Sequence, residues 1–253
     1  MVTDLQKASI VKRIAAALLD FIVLTVLLTG IAALLAGILG YDSYVNTVEE
    51  SYRRYESQYG IQFEITQEAY EAMTEQQRQN YDGAMQALFK DEIFVHAYNM
   101  QVNLTLLITT FSFLLSIMIL EFVLPLILKN GQTLGKKVFG IAVIRTDGVQ
   151  AGKLQLFIRA LLGKFTVELM IPVYILIMLF FGTADIFGLA ILAALLIGEL
   201  VCVAATRTNS LLHDLLAGTV AVDLSSQRIF RSREDLMEYT KKIHAERANR
   251  SEY

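Results

Sequence analysis

The sequence contains one cysteine, two prolines and no tryptophan, and it is poor in charge. Charged residues make up 19% of its 253 residues, whereas an average soluble domain has about 25%. A lone cysteine, Cys202, excludes a disulfide framework and a CxxC-type metal site. A net charge of only −3 argues against a nucleic-acid-binding protein, which needs a strongly basic surface.

Catalytic signatures are missing as well. The sequence has no HExxH pair, no GxSxG elbow, no Walker loop and no GxGxxG turn. Its three histidines are not spaced as metal ligands, and no nucleophile–base spacing stands out. We therefore expect no enzyme activity, no cofactor and no metal centre.

Apolar sequence is abundant, at 55% of the chain. A helix that crosses a bilayer needs about 20 mainly apolar residues, and four segments meet or approach this length. They are Ile14–Leu39, Asn103–Leu128, Phe165–Phe181 and Ile186–Thr206. The third is short, so Lys164 is expected to reach the interface and complete it. The predicted fold class is an all-α membrane protein with four transmembrane helices, an extracellular helical insertion and a small cytoplasmic β element.

The distribution of Lys and Arg predicts the orientation, because short loops rich in these residues stay in the cytoplasm. Residues 129–164 hold seven basic residues and one acid, whereas residues 41–101 hold eleven acids and four bases. If both termini are cytoplasmic, every basic segment lies inside and the acidic segment lies outside. We therefore expect a multi-pass protein of the cell membrane with both termini in the cytoplasm.

The acidic segment between the first two spans is predicted to form a helical cap. Gly60 ends one helical pattern and Thr66 begins another. A plain solvated cover and a ligand-binding cap both fit this pattern. The tight turn Gly182–Asp185 joins the last two spans into a hairpin.

Seven segments follow from these assignments. In chain order they are the N-terminus with the first transmembrane helix (1–40), the extracellular helical cap (41–101), the second transmembrane helix (102–128), a cytoplasmic motif with a strand and an interfacial helix (129–163), the transmembrane hairpin (164–206), an interfacial helix with a strand (207–224) and a charged cytoplasmic tail (225–253).

Two of these segments look alike. Shifting the chain by 78 residues aligns Leu134 with Leu212 and Gly140 with Gly218, and an apolar run lies at each of these glycines, Phe139–Ile144 in one segment and Thr219–Leu224 in the other. Both runs are partly β-branched, and each lies at the glycine that ends a short helical pattern. We predict a two-fold repeat in which the two runs pair as strands and satisfy each other's backbone groups.

Three separated motifs carry a family resemblance. Arg13 and Asp20 stand at the opening of the first span, GQTLGK occupies residues 131–136 and LLHDLLAGT occupies residues 211–219. Together they resemble the RDD family of membrane proteins. The resemblance matches Arg13, Asp20 and Asp214 to the arginine and two aspartates in the family's name, and it implies a small integral membrane protein. Transport, including cation/proton exchange, is among the roles it implies.

Acidic residues inside the spans are the strongest functional signal, because intramembrane charges are costly and mark ion or proton pathways. One acid falls in each span, namely Asp20, Glu121, Glu168 and Glu199. We expect these four to face the bundle interior and to bind the transported ion or a proton.

The positions of the two prolines support this expectation for two of the four acids. Pro125 and Pro172 each follow an intramembrane glutamate by four residues, so each frees a backbone carbonyl beside a carboxylate. Such oxygen-rich sites hold ions in several transporters. The alternative is that each proline only bends its helix while the glutamate pairs with a nearby base.

Arg13, Asp20 and Asp214 admit two roles, gating of the cytoplasmic side or a buried ion-pair clamp. We expect Arg13 to reach Asp214 or a lipid phosphate, and Asp20 to reach Arg159 or a basic residue of the cytoplasmic motif. The residues assigned to that motif are Gly131, Gln132, Thr133, Gly135, Lys136 and Arg159.

The function expected from these features is translocation of a cation or a small solute, with proton coupling as one form of it. The partners expected are the lipid bilayer, a cation or proton and further copies of the chain in a homo-oligomer, without nucleic acid. The alternative is a non-transporting accessory or sensor protein that acts through its extracellular cap.

Overall fold

The computed structural model describes residues 5–180, 182 and 186–251. Within these residues the regular secondary structure is helical apart from two short strands. The helices are α1 (Ile10–Leu39), α2 (Tyr41–Tyr59), α3 (Gln67–Glu71), α4 (Glu75–Leu88), α5 (Glu92–Met118), α6 (Leu124–Leu128), α7 (Leu134–Val138), α8 (Lys153–Ile158), α9 (Ile171–Phe180), α10 (Ile186–Ala205), α11 (Leu212–Ala217) and α12 (Arg233–Ser251). The strands are β1 (Ile141–Arg145) and β2 (Thr219–Asp223).

Four helical segments are long and apolar enough to cross a membrane, as predicted. They are Ile10–Leu39, Glu92–Leu128, Lys153–Leu179 and Ile186–Ala205. The second and third begin well before the predicted Asn103 and Phe165. Local capping explains the second start, because Asp91 Oδ1 accepts a hydrogen bond of 2.9 Å from Ile93 N.

The early start of the third segment changes one expectation. The interfacial helix predicted within residues 129–163 and the third span are one continuous helix from Lys153. Its first turn is held by Gln155, whose side chain accepts from Gly152 N at 2.9 Å. The predicted turn Gly182–Asp185 lies outside the described residues except for Gly182, which has a φ of 66°.

Two of the spans widen into π-helix. The π-helical stretches are Ile119–Val123 in the second span and Arg159–Met170 in the third. Each stretch runs directly into a helix with proline near its start, Pro125 in α6 and Pro172 in α9. Proline has no N–H to donate, so a local change in the hydrogen-bond ladder is expected beside it.

The chain divides into two compact units. Residues Thr29–Ser112 form the unit that contains α2, α3 and α4. Its core consists of Val48, Leu88, Phe94 and Ala97, with several aromatic rings packed around them. Gly60, with a φ of 65°, ends α2 as predicted, and Thr66 caps α3 through a hydrogen bond from Ala69 N.

The other unit is built from residues up to Leu28 and from Phe113 onward, and it contains the sheet. β1 and β2 pair antiparallel, with Val143 opposite Ala221, which confirms the predicted pairing. α7 runs into β1 through Gly140, and α11 runs into β2 through Gly218, with φ angles of 65° and 63°. This repeated helix–glycine–strand order confirms the predicted likeness of the two segments.

The sheet is buried on both faces. On one face Ile141 and Ala221 pack with Ala8 and Ala16, and on the other Ile144 packs with Val220 and Val222. The chain before α1 adds to the edge of β2, where Ala8 N donates to Ala221 O at 3.2 Å. The sheet therefore fixes the start of α1, which carries Arg13 and Asp20, beside the loops that precede β1 and β2.

Candidate functional site

The loop Gly131–Lys136 is shaped by its backbone and by short polar side chains. Gly131 has a φ of 63°, and a Cβ on it would lie 2.6 Å from Val143 O, so only glycine fits. Gln132 Nε2 donates to Ile141 O at 2.8 Å, which ties the loop to β1. Thr133 Oγ1 accepts from Lys136 N at 3.3 Å and so caps α7.

Asp20 of α1 binds the same loop through hydrogen bonds. Its Oδ1 accepts from Gly135 N at 2.8 Å, and its Oδ2 accepts from Thr133 Oγ1 at 2.5 Å. A Cβ on Gly135 would lie 2.2 Å from Ala16 O, so glycine at this position allows α7 to approach α1. Lys136 Nζ is 4.0 Å from Asp20 Oδ2. Asp20 therefore reaches a basic residue of the motif, as predicted, and not Arg159.

Glu121 lies in the π-helical stretch of the second span and is 2% exposed. Three cations surround its carboxylate. Arg159 Nη1 is 2.7 Å from Oε2, Lys164 Nζ is 2.5 Å from Oε1, and Lys136 Nζ is 3.2 Å from Oε2. The glutamate thus pairs with bases, which is the alternative given for the proline-linked sites. Lys164, expected at the lipid interface, is one of these bases.

Arg159 links Glu121 to α11. Besides its contact with Glu121, its Nε donates to Asp214 Oδ1 at 3.0 Å and its Nη2 lies 2.8 Å from His213 Nε2. A guanidinium has five N–H donors in a rigid plane, so it can serve three acceptors at once. Arg159 is 2% exposed, and its charge is balanced mainly by the carboxylates of Asp214 and Glu121.

Asp214 is fully buried and receives donors from three elements. Arg159 binds its Oδ1, Thr219 Oγ1 donates to the same oxygen at 3.1 Å, and Arg13 Nη2 lies 3.7 Å from Oδ2. Burial alone would raise the pKa of Asp214, but the positive charges of Arg159 and Arg13 hold it well below its usual value. The Arg13–Asp214 pairing predicted from the sequence is therefore present. Asp214 Oδ2 itself makes no hydrogen bond among the described residues.

His213 is 3% exposed and lies between two charged groups of the third span. Its Nδ1 is 2.5 Å from Glu168 Oε1, and its backbone N donates to the same oxygen at 3.1 Å. Burial lowers the pKa of His213, and the nearby charge of Arg159 lowers it further. A Cβ on Gly163 would lie 2.5 Å from His213 Cβ, so glycine there allows α11 to pack on the third span.

Glu199 stands at the edge of this group. Its Oε2 accepts from Leu212 N at 3.2 Å, which anchors the start of α11 to α10. Its Oε1 is buried without a hydrogen-bond partner among the described residues. Among charged groups Glu168 acts on it most strongly, and the two carboxyl groups interact directly.

These side chains surround a cavity of about 300 Å³. Its acidic lining comes from Asp20, Glu121, Glu168 and Asp214, and its basic lining from Arg13, Lys136, Arg159 and Lys164, with His213 between them. We call these nine residues the charge network. They are carried by the first three spans, α7 and α11.

The structure gathers most of the predicted site residues in or beside this network. Gly131, Gln132, Thr133 and Gly135 shape the loop that holds Lys136, and Glu199 lies next to Glu168. Sequence reasoning missed His213 and Lys164 as members and also missed Thr219, which binds Asp214. The signal for His213 was its place beside Asp214 in a short apolar helix, and the signal for Lys164 was its spacing of four from Glu168.

Comparison with known proteins gives one match. The family model of the RDD family matches residues 7–218, which include every member of the charge network. No curated protein and no solved structure matches the chain.

Proposed function

The chain belongs to the RDD family of membrane proteins, and on that premise we propose that it translocates a cation or another small solute across the cell membrane, coupled to protons. The observation that supports this most directly is the charged cavity within the unit that contains the sheet. Ionisable side chains inside membrane helices are costly and typically mark pathways for ions, protons or polar solutes. Neither translocation nor an accessory or sensor role requires enzyme chemistry.

The proposal divides the network into two parts. Asp20 and Glu121 face the cavity from the first two spans and would contact the solute while their basic partners rearrange. Glu168 and Glu199 would carry the proton, because two adjoining carboxyl groups cannot both be charged without repulsion. Arg13 and Asp214 would hold or gate the end of the cavity next to α11.

The proposed orientation follows the charge distribution. Residues 41–101, with eleven acids and four bases, would lie outside the cell, and both termini would lie in the cytoplasm. The network would then lie toward the cytoplasmic face. Four spans make a thin bundle for a complete pathway, and α1 and α10 expose many apolar residues, including Leu196 and Leu200. We therefore propose a homo-oligomer whose apolar surfaces contact lipid and other copies.

The test is flux through purified protein in liposomes with a trapped fluorescent pH indicator. An imposed gradient of a monovalent cation is expected to move protons with wild-type protein. Asp20→Asn and Glu121→Gln are expected to lower the initial rate at least tenfold. Glu92→Gln, which alters an exposed acid of the same span as Glu121, serves as the matched control and should retain the wild-type rate. Only variants with a wild-type elution profile are compared.

The alternative is an accessory or sensor protein, and the density of ion pairs favours it as a second candidate. Glu121 already has three cations within hydrogen-bond distance, which is the arrangement expected of a clamp that locks helices together. If wild-type protein moves no ion or solute while Asp20→Asn and Glu121→Gln only lower the melting temperature, the accessory role is supported and translocation is rejected.

A further inference from the structure

His213 occupies a position where its protonation state decides its partners. Arg159 can only donate hydrogen bonds, so the 2.8 Å contact between Arg159 Nη2 and His213 Nε2 requires Nε2 to be an acceptor. The ring proton must then be on Nδ1, from which it is donated to Glu168 Oε1 at 2.5 Å. The observed geometry therefore corresponds to a neutral histidine.

A second proton on this ring would remove the Arg159 contact. Nε2 would become a donor and would face a guanidinium that has no acceptor, with two positive charges 2.8 Å apart. An alternative acceptor is already in place. Asp214 Oδ2 is buried, makes no hydrogen bond among the described residues and lies 3.7 Å from His213 Nε2.

We infer that His213 is a proton-binding latch that exchanges its contact with Arg159 for one with Asp214 Oδ2, and thereby loosens α11 from the third span. The proton arrives through the cavity, which His213 lines. The ring gains one proton at Nε2, and no covalent bond between heavy atoms changes. This inference rests on the proposed function only for its consequence, which is that proton binding opens the network toward the solute.

The contacts of α11 explain why a local change would move the helix. His213 packs against Gly163 so closely that a Cβ there would lie 2.5 Å away, and its backbone N donates to Glu168. Helix α11 has only six residues, Leu212–Ala217, so the contacts of His213 and Asp214 are a large part of its attachment. A shift of the ring is therefore transmitted to the backbone of the helix.

Charged groups on four elements face the latch. Arg159 and Lys164 of the third span oppose protonation, whereas Glu168 of the same span and Asp214 of α11 favour it. Arg13 of α1 acts through Asp214, and Glu199 of α10 acts through Glu168. Burial is the largest influence and lowers the pKa of His213, so the latch stays closed near neutral pH and opens on acidification.

The test is hydrogen–deuterium exchange of the full chain in detergent micelles at a series of pH values from about 7.5 down to about 4.5, corrected for the intrinsic pH dependence of exchange; the series extends well below the usual histidine value because burial lowers the pKa of His213. In wild-type protein, protection of residues 209–218 is expected to fall at least tenfold at the lowest pH. His213→Gln cannot become charged and is expected to change less than threefold. His244→Gln alters an exposed histidine of α12 and should behave as wild type.

Glu168→Gln keeps the test decisive if His213→Gln does not fold. Glutamine can still accept from His213 but cannot balance its charge, so opening should shift to lower pH. Unchanged protection of residues 209–218 in wild type, or a full pH response in His213→Gln, overturns the latch.

Flux measurements separate the two proposals. Proton-coupled flux with an unaltered pH profile in His213→Gln rejects the latch alone, whereas pH-dependent exchange without flux rejects only translocation.

Discussion

Arg159 is the side chain that joins the second span to α11 within the charge network. It contacts Glu121 of the second span and both His213 and Asp214 of α11. Its acceptors are buried, so none of them can turn to bulk water when the guanidinium is removed. The stability of this region should therefore depend on Arg159 more strongly than on an exposed base of the same helix.

Arg159→Gln is expected to lower the free energy of unfolding by about 3–5 kcal/mol, because it leaves the buried carboxylate of Asp214 without its principal partner. The measurement is denaturant unfolding in detergent micelles. Lys153→Gln, at the exposed start of the same helical segment, is the control and should stay within about 0.5 kcal/mol of wild type. A loss no larger than that of the control would show that Asp214 is stabilised without Arg159.

Lys136 gives a second prediction, which concerns pH. Burial, together with the charges of Arg159 and Lys164, lowers the pKa of Lys136 to about 8, although Glu121 opposes the shift. Between about pH 8 and the unfolded lysine value of about 10.4 the unfolded chain binds more protons, so the contribution of Lys136 to stability rises with pH. It should level off above that range.

The measurement is the free energy of unfolding of wild type minus that of Lys136→Gln across this pH range. The difference is expected to move in favour of wild type by up to about 3 kcal/mol. The control is Lys137→Gln, which alters a neighbouring exposed lysine. The free energy of unfolding of wild type minus that of this control should not change with pH. A difference that falls as the pH rises would mean that Lys136 binds its proton more tightly in the folded protein than in the unfolded chain.

Two helices reach their positions through glycines at close contacts. Gly135 lets α7 approach α1, and Gly163 lets the third span approach α11. A Cβ on Gly135 would meet the backbone oxygen of Ala16, and a Cβ on Gly163 would meet the Cβ of His213. Rotation of a side chain moves neither of these atoms, so it cannot relieve the clash. Both contacts position members of the charge network, Asp20 in one case and His213 in the other.

Gly135→Ala and Gly163→Ala are each expected to destabilise the protein by about 1–3 kcal/mol or more through overpacking. Gly198→Ala in α10 is the matched control, because a Cβ there meets nothing within 4 Å. Alanine favours a helix interior over glycine by up to about 1 kcal/mol, so the control should be neutral or stabilising. Equal effects at all three positions in thermal unfolding would contradict the close-contact explanation.

These elements also show what a sequence can predict. Apolar length gives the four spans, and β-branched runs after Gly140 and Gly218 give the paired strands, because both depend on local pattern. The early start at Glu92 could be recognised only from the cap that Asp91 forms, since the following residues are partly polar. Local pattern therefore predicts the type of an element better than its boundary.

The site is less predictable for a different reason. The sequence gives the position of Glu121 along the second span and of Asp214 along α11, but not the direction in which each side chain points around its helix. Arg159 meets residues 38 and 55 positions away, and π-helical turns change the facing of every later side chain in the span. Pairings that depend on rotation, such as Lys164 with Glu121, follow only from the folded arrangement.

For the whole molecule, the orientation in the membrane is the property on which the remaining proposals depend. The acidic segment 41–101 between the first two spans and the basic segments around the sheet carry opposite charge. Under the proposed orientation, which follows the positive-inside rule, the acidic segment is extracellular and the basic segments are cytoplasmic. Protons that reach His213 through the cavity would come from the cytoplasm if this orientation holds.

Single-cysteine labelling tests the orientation, because the chain has one native cysteine. In a Cys202→Ser background, Ser57→Cys places a thiol on exposed α2 and Ser226→Cys places one after β2. A membrane-impermeant maleimide is expected to label Ser57→Cys in intact cells and Ser226→Cys only after permeabilisation. The Cys202→Ser protein without an added cysteine controls for background. Labelling of Ser226→Cys in intact cells would show that the orientation is the opposite of the one proposed. The charged cavity would then receive protons from outside the cell.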